Sequence, residues 1–161
     1  MGLLNVLKGS APGLAQLDKT LPVAGTGIER GSLLVEDAGK FRLSEATDAD
    51  SGSVVYFSNG SQEDPDAMMA GGVTGISCTQ SLSLELDRFT GTPAVGAYLQ
   101  AGADGKLVAH VTGKTAVFLV TKASYQRWSN NAAVPGKQRL GTNVACIQGW
   151  TVFMPAKAIE A

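Results

Sequence analysis

Five short features carry residue types that could do chemistry. Gly113-Lys114-Thr115 ends like a phosphate-binding loop, whose backbone amides cradle a polyphosphate while the lysine neutralises it. That motif needs a glycine five residues before Gly113, where Val108 stands, and a following helix, where Ala116–Val120 reads as strand. Asp48-Ala49-Asp50-Ser51-Gly52 has the acidic spacing of a calcium loop. Its glycine comes one position early, and Asn59 holds the twelfth position, which calls for a bidentate glutamate. His110 is the only histidine, so no multi-histidine metal site can form. Alternation puts it on the face opposite Leu107, Ala109 and Val111, and no G-x-S-x-G elbow supplies a nucleophile for it. Cys78 and Cys146 lie far apart and match no metal spacing. Each sits in an apolar, β-like run, the usual setting of a buried inert thiol, and a disulfide between them stays open. Asp64 and Asp66 flank Pro65 and read as the start of a short helix, with Asp64 as N-cap. The expectation is a protein that is not an enzyme and holds no cofactor or metal. Carboxylate pairs drawn from distant positions stay open.

The totals agree with a structural role. A chain of 161 residues makes one domain and can bury roughly 70% of its unfolded surface, so it needs neither disulfide nor metal. The 20 glycines exceed the usual ~7% and argue for many turns. A net charge of −1 with 13 scattered basic residues provides no clustered cationic face for nucleic acid. No apolar run approaches the ~18 residues of a membrane span, and no signal peptide is legible, so synthesis in the cytosol is expected.

Residues 1–28 differ from the rest and read as an N-terminal arm, followed by a single β domain over 29–161. Leu3, Leu4 and Leu7 have the spacing of one or two amphipathic helical turns before Gly9-Ser10. Prolines and glycines then break the segment, yet it carries Leu14, Leu17 and Leu21. A solvated tail is poor in leucine, so an arm lying along the body or along a neighbour fits better.

The body repeats one plan twice, at Gly31–Phe57 and Gly96–Lys122: glycine, apolar strand, Gly-Lys turn, second strand, polar turn, third strand. In the first copy Leu33-Leu34-Val35 is a strand, Asp37-Ala38-Gly39 a three-residue turn, and Lys40–Ser44 alternates with period two. In the second copy Ala103-Asp104-Gly105 is the equivalent turn. Asp64–Ala70 reads as a helical turn within a loop. Ser81–Phe89 is the clearest strand, with Leu82, Leu84 and Leu86 on one face and Ser81, Ser83, Glu85 and Asp87 on a wet one. Ser124–Asn131 reads as a polar-aromatic connection, Pro135–Gly141 as a basic loop, and Val144–Met154 as the last strand. Short strands divided by Gly, Pro and Asp turns predict an all-β fold, an antiparallel β-sandwich or barrel.

The phrases GSLLVEDAGKFRL (31–43) and GAYLQAGADGKLVAHVTGKTAVFLVTKA (96–123) resemble small capsid decoration proteins of tailed bacteriophages, also called cement or head-stabilising proteins. The resemblance covers approximately residues 25–155 and rests on turn-and-strand phrases. It implies a jelly roll, with a β-tulip as the alternative. It also implies a protein on the virion surface, bound outside the assembled shell at junctions between major capsid protein subunits, as a homo-dimer or homo-trimer. It implies no catalytic residues, no nucleic-acid partner and no membrane. In that setting Leu3, Leu4, Leu7, Leu14, Leu17 and Leu21 are the candidate capsid or partner contacts. The alternative is a carbohydrate-binding or adhesin-type β module, whose ligand patch would be Tyr125, Trp128 and Asn130.

Both turn glycines are expected at positive φ, where a β-branched residue is strained. Gly105→Val should therefore lower stability by more than ~1 kcal/mol in urea unfolding. An unchanged midpoint would show that the turn is misread.

Overall fold

The structure, a computed structural model, describes residues 3–8, 18–62, 71–129 and 142–155. Among the described residues eleven strands form two antiparallel sheets packed against each other. The strands are β1 (Leu4–Lys8), β2 (Asp18–Leu21), β3 (Leu33–Asp37), β4 (Lys40–Leu43), β5 (Tyr56–Ser58) and β6 (Val73–Ser77), then β7 (Ser83–Leu86), β8 (Tyr98–Ala101), β9 (Leu107–Ala109), β10 (Ala116–Ser129) and β11 (Thr142–Met154). A single helical turn, α1 (Asp48–Ser51), links β4 to β5 and ends on Gly52 in the left-handed conformation.

The two sheets share one connectivity. The first runs β2-β6-β5-β3-β4; the second runs β7-β11-β10-β8-β9, with β1 added outside β7. Each is thus five consecutive strands in the same spatial order. The likeness extends to the segments that close each sheet. Val23, just after β2, makes a parallel bridge to Phe41 of β4, and Phe89, just after β7, makes one to Leu107 of β9. Val23 to Phe89, Phe41 to Leu107 and Gly39 to Gly105 are the same interval along the chain. The repeat visible in the sequence as three strands is therefore a duplication of five. Five consecutive strands stay within one sheet in each half, which departs from the jelly-roll leaning, since two Greek keys would carry the chain repeatedly from sheet to sheet.

The core lies between the copies. Leu33, Phe57 and Ile76 of the first sheet meet Leu84, Leu86, Leu99, Leu107, Phe118 and Ile147 of the second. The Phe57 and Phe118 rings face each other with centroids 6.1 Å apart and planes at 50°. A satellite core of Ile28, Leu34, Phe41 and Val73 fills the other face of the first sheet, beneath Leu21, Val23, Leu43 and Tyr56. This is why β3 is apolar on both faces.

Three expectations change. The Leu3–Leu7 segment is an edge strand, not helical turns: Leu4 pairs with Leu86 and is buried, while Val6 and Leu7 are exposed. So short a segment cannot sustain a helix alone, whereas an open sheet edge offers it ready partners. With β1 on one sheet and β2 on the other, the described parts of 1–28 lie along the body. Ser124–Ser129 is strand rather than connection, continuing β10. The two Gly-Lys turns also differ. Asp37 pairs directly with Lys40, leaving a two-residue loop in which Ala38 (φ 52°) and Gly39 (φ 78°) are both left-handed. The Ala103–Gly105 turn has three residues and docks on the first copy: the Gly105 amide donates to the Ser44 carbonyl at 3.2 Å, and the Ser44 hydroxyl donates to the Gly102 carbonyl at 3.1 Å. A Cβ at Gly105 (φ 67°) would lie 2.7 Å from Leu43 Cδ2, so that position is constrained by both backbone and space. The helix start at Asp64 and the Pro135–Gly141 loop fall outside the described residues.

A two-residue hairpin with both φ values positive favours Asn-Gly, and alanine pays for the left-handed region at Ala38. Ala38→Asn should stabilise the protein by about 0.5–1 kcal/mol, read as a higher urea midpoint at constant slope.

Candidate functional site

The β10–β11 hairpin outruns the sandwich. On one side β8 pairs with β10 only at Phe118 and Leu119; on the other, β7 pairs with β11 from Ile147 to Trp150. Beyond these limits Tyr125–Ser129 and Thr142–Cys146 pair only with each other, through five residue pairs. At ~3.4 Å per residue that ribbon extends about 17 Å, with both edges unpaired among the described residues. The register shifts twice between Val120 and Tyr125, and such bulges bend and twist a strand pair.

A two-stranded ribbon is marginal on its own, so something must hold its base. That anchor is Glu85 of β7. It stands on the face expected to be wet, yet it is only 1% exposed. The Tyr125 hydroxyl and Arg127 Nη1 of the ribbon each donate to one of its carboxylate oxygens. Gln148 Nε2 donates to the Tyr125 oxygen at 2.8 Å, and the Lys122 ammonium lies 4.2 Å above the Tyr125 ring. Burial, reinforced by the Glu85 carboxylate, pushes the Tyr125 phenol up to about 12, so it stays a donor throughout the neutral range. A buried carboxylate is costly unless its lone pairs are met, and here the ribbon supplies two donors. Cys146 lies at the same base; burial first, then Glu85 and Asp87, raises its thiol to about 11. Cys78 is raised to about 11 by burial, and both cysteines are free and buried.

The other candidate residues are dispersed. Both Asp48 carboxylate oxygens are taken, by the Arg42 guanidinium at 2.9 and 3.0 Å and by the Glu45 amide at 2.7 Å. Burial opposes the charge on Asp48, but the Arg42 hydrogen bonds, the Glu45 amide and the Arg42 charge together outweigh it and hold the carboxyl below its ordinary value. The Asp48–Gly52 stretch is therefore a helical turn tied to β4. Lys114 pairs with Asp50 and Thr115 is buried, so Gly113-Lys114-Thr115 cradles nothing. His110 Nε2 meets the Lys114 carbonyl at 2.9 Å. Among the described residues no three His, Cys, Asp or Glu side chains gather as metal ligands.

Of the leucines expected to contact a partner, Leu4 points into the main core and Leu21 packs on the satellite core. The Leu3 amide donates to Asp87 Oδ1 at 2.9 Å, and Leu7 is exposed. Leu14 and Leu17 fall outside the described residues. In the alternative patch, the Tyr125 hydroxyl and ring face are engaged by Glu85 and Lys122, while the Trp128 side chain and Asn130 fall outside the described residues. Glu85 was not legible as the anchor, because strand alternation assigns it to solvent and only a distant ribbon covers it. Comparison of the chain with protein families, with curated proteins and with solved structures finds no match in any of the three.

Two outcomes follow. Tyr125→Phe removes a donor from a buried carboxylate and should cost about 1–2 kcal/mol. Amide exchange should rise in 125–129 and 142–146 while Leu33–Phe57 keeps its protection; uniform loosening would mean that Glu85 anchors no separate ribbon. Neither cysteine should react with a disulfide reagent at pH 8 in the native state, and both should react in urea. Fast native labelling of Cys146 would show that the ribbon base is open.

Proposed function

We propose that the protein is a non-enzymatic structural virion protein. It binds the outside of an assembled phage capsid at junctions between major capsid protein subunits and stabilises the shell. The observation that carries this reading is the anchored ribbon: a two-edged strand pair extending from the sandwich and tied at its base to the buried Glu85. Backbone donors and acceptors along such a ribbon can pair with an extended segment of a partner, and strand addition of this kind depends little on side-chain chemistry. The phrases of 31–43 and 96–123 support the same reading through their resemblance to decoration proteins.

A cement protein also has to be soluble before it docks. Glu85 serves this by accepting from Tyr125 and Arg127 and keeping the ribbon in one conformation, so little ordering entropy remains to be lost on binding. Modest contacts then suffice, because a homo-dimer or homo-trimer repeating them over a lattice gains by avidity. The proposed location is the capsid surface of the virion.

Purified protein mixed with undecorated shells should co-sediment to saturation and raise the temperature at which the shells open. Shells that bind no protein, or that gain no heat resistance at saturation, would reject the proposal.

A further inference from the structure

We propose that the second copy carries a binding site for a neutral sugar ring, separate from the ribbon and independent of shell docking. A cleft of about 440 Å³ opens between the loop Thr90–Ala97 and strands β8 and β9. That volume falls in the range of small-molecule sites. The loop is pinned rather than loose: the Thr90 amide donates to the Leu107 carbonyl at 2.9 Å, the Gly96 amide to Val120 at 2.8 Å, and the Val120 amide to Ala97 at 2.9 Å. The cleft is therefore largely preformed.

The duplication gives a reason for its emptiness. At the interval that relates Val23 to Phe89 and Phe41 to Leu107, Ile28 corresponds to Ala94. Ile28 is 1% exposed and fills the satellite core of the first copy, whereas Ala94 lines the open cleft of the second. One copy has its loop plugged by a large side chain, and the other has the plug cut back to a methyl group.

The lining sets the ligand class. It contains no carboxylate, ammonium or guanidinium, so a phosphate or other ionic ligand would meet no counter-charge. It does contain Tyr98, 38% exposed, with Pro93, the Thr90 and Thr92 hydroxyls and His110. An aromatic face beside hydroxyls suits a pyranose, which has an apolar C–H face and a rim of hydroxyl groups. His110 supplies an acceptor. A carbonyl can only accept, so the Nε2 facing Lys114 carries the hydrogen, and in the neutral ring Nδ1 keeps its lone pair. No partner for Nδ1 occurs among the described residues. A wholly apolar ligand would leave these polar groups unmet.

The test is a glycan array of neutral hexoses, N-acetylhexosamines and their oligomers, with hits titrated by calorimetry against the full chain. Binding to at least one neutral glycan is expected. Tyr98→Ala should weaken it about tenfold or more, and Ala94→Ile should abolish it by restoring the plug, with an unchanged or raised melting temperature. Both variants should bind shells as the parent does. Tyr98 lies at the rim, outside the core, so Tyr98→Ala decides the matter should Ala94→Ile fold poorly. An array without hits, or glycan binding that survives both substitutions, overturns the proposal.

Discussion

The fold depends on closing two similar sheets over one apolar layer, and the contact at its centre is Phe57 against Phe118. Each ring comes from the corresponding strand of its copy, β5 or β10, so the duplication packs equivalent parts face to face. Burying a side chain of this size contributes roughly 1.5–3 kcal/mol, but only if the neighbouring backbone lets the ring lie flat. Gly149 provides that room for Phe118: a Cβ there would sit 2.5 Å from the ring and 2.2 Å from the Leu119 carbonyl oxygen. Gly75 does the same in the satellite core, where a Cβ would fall 2.8 Å from Tyr56 Cβ and 2.9 Å from Phe41 Cζ. Both glycines lie on the fifth strand of their copy. Their role is steric, and it costs the strand the side-chain packing that a larger residue would contribute.

Against this shared frame, the differences between the copies are informative. The first copy is trimmed: β5 and β6 are three and five residues long, and its loop is filled by Ile28. The second copy is elaborated: β10 and β11 run to 14 and 13 residues, and its loop leaves a cleft at Ala94. The ribbon lies beyond the central contact, so it can vary without disturbing the layer that holds the molecule together. In the proposed function the first half is the support and the second the presenting surface.

How much of this was legible depends on the range of the signal. Strand alternation is local, so Leu33–Val35, Lys40–Leu43 and Leu82–Leu86 could be read directly, as could the turn glycines at 39 and 105. The duplication was visible only where both copies keep the same local pattern. Its outer strands escaped notice because β2 is an edge strand with Lys19 and Thr20 exposed, whereas β7 is buried between β1 and β11 and is apolar accordingly. Glu85 escaped for the opposite reason: its local pattern is that of a wet face, and its burial is imposed by Tyr125 and Arg127 from far along the chain. Leu3, Leu4 and Leu7 have a spacing that suits a helical turn, and only the vacant edge of β7 decides for a strand. The cleft left no sequence signal at all, since an alanine in a loop becomes meaningful only beside its counterpart Ile28.

The central claim is that the anchored ribbon is the surface that meets the shell. Hydrogen–deuterium exchange on free and shell-bound protein tests this directly. The account predicts that binding protects Tyr125–Arg127 and Val144–Cys146 strongly, while the exchange of β3 to β6 stays as it is in the free protein. Protection confined to the first sheet, with the ribbon exchanging as freely on the shell as in solution, would contradict it.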